Sequence, residues 1–123
     1  MRRNDEMGDT MSNIRIRNAE GTWVVRSGGA VLGETSRALE LSEEGYPPVI
    51  YFPREDIAMA FLDPGSKTSH CPHKGDASYY SIVNKSSVTE NAAWSYEAPN
   101  EAVAAIKGYL AFYPSETVKI EQI

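Results

Sequence analysis

The stretch SHCPHKGDASYY, Ser69 to Tyr80, gathers both histidines of the chain and its one cysteine around a Lys-Gly-Asp turn. By residue type, His70, Cys71 and His73 are metal ligands. A zinc site, however, usually draws two spaced pairs, and the rest of the chain offers no further Cys or His. An extended backbone also sends His70 and Cys71 to opposite sides, and a site would need a carboxylate such as Asp76 to complete it. No metal is therefore expected. Cys71 is instead a candidate nucleophile, because His70, His73 and Lys74 can lower a thiol pKa or act as its base. The competing reading is a packed thiol, since free cysteine is among the most buried residue types. Cys71, Lys74 and Asp76 are the candidate catalytic residues, with no reaction specified.

Lys74-Gly75 sets a cation beside a residue that permits close backbone approach, as anion-binding turns do. It is not a Walker A loop: the GxxxxGK[ST] spacing is absent, and Asp76 stands where Ser or Thr would follow. Arg54, just after an aromatic strand, can clamp a carboxylate or phosphate with its planar fork. Glu55-Asp56 are adjacent acids that suit a helix start, and no strand carries an Asp-x-Asp pair for magnesium. Tyr51, Tyr79, Tyr80, Trp94, Tyr96, Tyr109 and Tyr113 fall on expected strands, with Trp94 and Tyr96 on one face. Such residues line either a core or the wall of a small-ligand pocket.

The elements that must position these residues are mostly strands. In IRIR (14–17), isoleucines alternate with arginines, the pattern of a half-buried strand. TWVVRS, RALEL and PVIYF follow, separated by turns at Glu20-Gly21, Ser27-Gly28-Gly29 and EEGYPP, and suggest an antiparallel meander. REDIAMAFL predicts a short helix with acids at its start, and DPGS a turn. KTSHC, ASYYSIV, NAAWSYE, YLAFY and VKIEQ predict further strands. NEAVAAIKG predicts a short helix with Asn100 as N-cap and Gly108 as its stop. Strands without long crossover helices pair antiparallel. The expected fold is mainly β: one compact domain of curved antiparallel sheet, barrel-like or as packed sheets, with one or two short helices.

At 123 residues the chain suits one domain, placed at 13–123 behind a loose polar tail at 1–12. Apolar residues at 41% and charged residues at 24% are ordinary for a globular protein. A net charge of -5 argues against nucleic-acid binding, which needs a basic surface. No apolar run reaches membrane-span length, and the start MRRNDEMGDTMSN lacks the apolar segment of a signal peptide. One cysteine cannot form an internal disulfide, which fits a cytoplasmic protein.

YFPRED (51–56), CPHKGDASYYS (71–81), AAWSYEAP (92–99) and IKGYLAFYP (106–114), in that order, resemble the uncharacterised bacterial and fungal family numbered 427 among the domains of unknown function. The resemblance covers roughly Gly21 to Ile123. It implies a compact β domain, carries a nucleotidyltransferase-like label, and implies no established reaction. Arg54, Asp56, Cys71, Lys74, Gly75, Tyr79, Trp94, Tyr96 and Pro99 match the family's characteristic positions. His73 stands where Tyr or Trp is usual, and His70 lies outside the motif.

The expectation is a domain binding a small polar or anionic molecule through Arg54, Lys74, Gly75, Tyr79, Trp94 and Tyr96, with Asp76 at the same pocket. No cofactor, nucleic acid or membrane partner is expected. The alternatives are an enzyme with Cys71 as nucleophile, a nucleotidyltransferase-like activity, and an interaction module that pairs through a sheet edge as a homodimer.

Overall fold

The computed structural model describes residues 13–123, so the tail assigned to 1–12 lies outside the described residues. The strands are β1 (Ile14–Asn18), β2 (Trp23–Ser27), β3 (Ala30–Thr35), β4 (Leu39–Glu43), β5 (Val49–Tyr51), β6 (Leu62–Cys71), β7 (Gly75–Val83), β8 (Val88–Ser95), β9 (Ala111–Phe112) and β10 (Val118–Gln122). They form three sheets ordered β1-β4-β5, β10-β2-β3 and β6-β7-β8-β9. Every pairing is antiparallel. The mainly β expectation holds. Among the described residues no helix is long and apolar enough to cross a membrane.

The early strands do not form a simple meander. β1 pairs with β4 at Ile16↔Leu41, while β2 pairs with β3 and with the last strand, β10. This puts Ile14, Ile16, Leu39 and Leu41 on one apolar face, as their alternation requires. Phe52 and Leu110 exchange backbone hydrogen bonds of 2.8 and 2.9 Å, which stitches the β5 sheet to the β9 end of the β6–β9 sheet.

Successive residues along this joined surface feed two different cores. Tyr51, Tyr79 and Ala111 pack with Leu41, Tyr96 and Ile106. Their neighbours Phe52, Tyr80 and Phe112 pack with Val25, Leu32 and Ile82. Burial on both faces along β7 explains why the adjacent Tyr79 and Tyr80 are both core residues, while β6 at the sheet edge is mostly exposed.

Four further sequence expectations need correction. DPGS lies inside β6, where an irregularity between Pro64 and Thr68 absorbs Pro64 and Gly65. REDIAMAFL is not one helix but two 3-10 turns, Arg54–Asp56 and Met59–Phe61. Between them Ile57 is extended and bridges Gly33, and the Ala58 N–H donates to Leu32 at 2.7 Å. The approach is so close that a Cβ on Gly33 would lie 2.7 Å from the Asp56 carbonyl oxygen. Asp56 serves this junction, accepting from Thr35 Oγ1 at 2.7 Å and Arg37 at 3.1 Å.

NEAVAAIKG forms a 3-10 stretch, Glu101–Ile106, broken at Val103. Asn100 does not cap it; the Asn100 side chain instead donates to the Pro72 carbonyl at 3.0 Å. Of YLAFY, only Ala111–Phe112 is strand.

Candidate functional site

Glu43 belongs to LELSE, where it falls on the same side as Leu39 and Leu41. An acid on an apolar face needs a partner. The tight turn after β6, closed by the Lys74 N–H donating to the Cys71 carbonyl at 3.1 Å, supplies one. Lys74 Nζ donates to Glu43 Oε1 at 3.0 Å, with the two side chains only 14% and 19% exposed. Burial works against the Lys74 charge, but the Glu43 hydrogen bond, with Cys71 and Tyr51 nearby, raises its pKa above the ordinary lysine value.

Beside this ion pair opens a cleft of about 1050 Å³, bordered by Cys71, His73, Lys74 and a set of aromatic residues. Trp94 and Tyr113 pack with ring centroids 4.4 Å apart, and Tyr51 meets Trp94 edge-on at 6.4 Å. The Trp94 indole N–H donates to the Tyr51 hydroxyl at 3.3 Å. Burial pushes the Tyr51 pKa up to about 12 and raises that of Tyr96 further still. Both hydroxyls stay protonated over the neutral range and can donate as well as accept. His73 also borders the cleft, and its Nδ1 is buried without a hydrogen-bond partner among the described residues.

The residues singled out in the sequence divide into two groups. Lys74, Tyr79, Trp94, Tyr96 and Cys71 border the one cleft. Arg54, Gly75 and Asp76 do not. Arg54 is engaged elsewhere: Nε donates to the Gly108 carbonyl at 3.0 Å, and Nη2 donates to Glu97 at 2.9 Å. The Tyr80 hydroxyl donates to the same Glu97 carboxylate at 2.5 Å. That bond, seconded by Arg54 and opposed by partial burial, holds Glu97 below the usual carboxylate range.

Gly75 is buried at φ +110°, and a Cβ there would lie 3.4 Å from the Asn100 nitrogen. The chain itself occupies the space expected for a ligand. Asp76 points outward and pairs with His70 at 2.7 Å, both side chains being mostly exposed.

The family model for a domain of unknown function, DUF427, matches residues 15–122. The chain belongs to that family. No curated protein matches this DUF427 domain. The match begins before Gly21, so it includes all of β1 but Ile14, a strand that the sequence blocks left outside. Among the described residues of the DUF427 domain, no three His, Cys, Asp or Glu side chains cluster to hold a metal ion. Three residues of the cleft's aromatic wall and ion pair escaped sequence reasoning as members of a site: Tyr51 and Tyr113, grouped only with the other aromatics, and Glu43. The signal for Glu43 was its place on the apolar side of LELSE.

Proposed function

We propose that this DUF427 domain binds a small molecule with a flat apolar body and a polar group. The observation that carries the reading is the cleft itself: an aromatic wall of Tyr51, Tyr79, Trp94 and Tyr113 beside the largely buried Lys74–Glu43 pair. Apolar walls with a few fixed polar groups are what ligand pockets share. Glu43 already answers the Lys74 charge, so the pair offers a ligand both donors and an acceptor. Of the polar or anionic groups first expected, a neutral polar one suits it better. Arg54 and Asp76 are not part of this reading. A cytoplasmic setting remains our proposal and fits the free thiol of Cys71.

The test is a thermal-shift screen of aromatic carbonyl compounds, organic acids, nucleotides and phosphosugars. Hits are repeated on Trp94→Leu and on the double variant Glu43→Gln/Lys74→Met, which removes both charges together. A stabilising ligand that loses its effect in both supports the reading. A screen without hits, or hits indifferent to both variants, rejects it.

Cys71 gives a second reading, favoured by its place on the cleft beside Lys74. Iodoacetamide alkylation against pH decides whether it is a nucleophile. A rate that follows an ordinary thiol pKa of about 8.5 removes that role. Nucleotidyl transfer draws no support from the carboxylates of the described residues, which do not gather as a metal-holding group. A homodimer would pair through β6, the edge of its sheet. Pro64, Lys67 and the irregularity in β6 are features that guard an edge against pairing. Light scattering that returns a monomer ends that alternative.

A further inference from the structure

The backbone bridge between Phe52 and Leu110 goes no further, and β5 and β9, which it joins, belong to different sheets. Along antiparallel strands, successive residues turn their N–H and C=O to opposite sides. Phe52 uses both groups on Leu110, so Ile50, two residues back, turns the same way, out from β4. On the other lip, the Tyr113 N–H donates to the Ala92 carbonyl at 2.9 Å. Its neighbour Phe112 therefore faces away from β8 and toward Ile50. Continuing the register from Phe52↔Leu110 sets Ile50 opposite Phe112 and Pro48 opposite Pro114. Both members of that last pair are prolines, which have no N–H to donate, so the ladder cannot close. The gap opens into the cleft: Pro48, Ile50, Phe112 and Pro114 all border it.

We propose that this seam is where the cleft reads its ligand, and that it takes the amide edge of a planar cyclic amide. This rests on the reading that the cleft binds a small molecule, and it names the polar group. An open strand edge pairs with an N–H beside a C=O, which is what an amide offers. In a ring the two lie on one edge. The flat remainder suits the neighbouring Trp94 and Tyr113, whose rings pack with centroids 4.4 Å apart. Phe112 is only 4% exposed, and buried backbone groups need a partner. Ile50 is partly exposed and forms the accessible lip. The ligand carbonyl accepts from the Ile50 N–H, and the ligand N–H donates to a backbone carbonyl of the seam. No charge is brought in, and the Lys74–Glu43 pair, already balanced, calls for none.

Amide hydrogen exchange followed by NMR tests the open seam without a ligand. The Ile50 amide should exchange well ahead of that of Tyr51, whose N–H belongs to the β4 ladder. The ligand class is tested with 2-quinolone, a planar cyclic amide, against 1-methyl-2-quinolone, which has lost the N–H. 2-Quinolone should bind, slow the Ile50 exchange, and bind roughly five- to tenfold more tightly than its methyl derivative. Ile50→Pro removes a donor that the β4 pairing does not use, at a place where an edge strand tolerates proline. It should weaken 2-quinolone by a similar factor. An Ile50 amide as protected as that of Tyr51 in the free domain overturns the proposal. So does bound 2-quinolone that leaves the Ile50 exchange unchanged, or undiminished binding by a folded Ile50→Pro. If that variant does not fold, the exchange data and the two probes decide on the wild-type domain. Equal binding of the two probes overturns the proposal and leaves the binding reading intact. Binding of neither overturns it as well, and the wider ligand screen then judges the binding reading separately.

Discussion

Glu43 and Lys74 join β4 to the turn between β6 and β7 through a 3.0 Å ion pair, with most of both side chains withdrawn from water. Removing one partner strands the other, whereas removing both does not. Lys74→Met alone should therefore destabilise the domain by about 2 kcal/mol, below the cost for a fully buried pair. Glu43→Gln added to it should recover at least half of that loss. Urea unfolding of the four proteins in the cycle measures the coupling. Losses that simply add would show the pair to be independent charges.

Glu97 supplies a pH prediction. Its native pKa is lowered, first by the Tyr80 hydrogen bond and then by Arg54. The contribution of this carboxylate to stability is therefore complete above its unfolded value of about 4.3 and is lost as pH falls through the lower native value. Glu97→Gln should flatten that part of the acid limb in a plot of unfolding free energy against pH. An unchanged limb would mean that the cluster does not bias the Glu97 proton.

Gly75→Ala tests the turn beneath the cleft. At φ +110° an L side chain is strained, and the new Cβ would meet the Asn100 backbone nitrogen at 3.4 Å, an ordinary contact, so the cost is in the backbone. The expected loss is roughly 1–3 kcal/mol, read from the shift in unfolding midpoint. A neutral substitution would show that the turn can take another conformation.

Tyr51→Phe removes the acceptor of the Trp94 indole N–H while keeping the ring that packs against it. The cost should be about 1 kcal/mol. Emission measured in a Trp23→Phe background should shift with the changed surroundings of Trp94. Identical spectra would argue that the hydrogen bond does not form in solution.

Alternation in IRIR and RALEL, the β-rich runs and their turns were enough to read a mainly β domain. Pairing partners were not legible, because β1 and β4 are separated by a whole hairpin in sequence and no local signal selects one partner over another. The helix expectation for REDIAMAFL failed because Ile57 gains a bridge to Gly33 and burial, which outweigh local helical preference. Residue type alone made Arg54 look like a ligand clamp. Its actual partners, Gly108 and Glu97, lie more than forty positions away. Trp94 and Tyr96 were legible as a pair because the strand period placed them on one face, whereas Tyr79, on a different strand, was reached through residue type and the family resemblance.

The pairing of β10 with β2, from Val118↔Ser27 to Gln122↔Trp23, spans nearly the entire described chain. A strand made early must wait, with one edge open, until Val118 to Gln122 have also been made. Loop closure over that separation is paid before the contact rewards it, which places folding in the slow, millisecond-to-second regime of non-local β proteins. Until then Val24 and Val25, both fully buried in the finished domain, lack their final cover. The vulnerable moment of this protein is its synthesis.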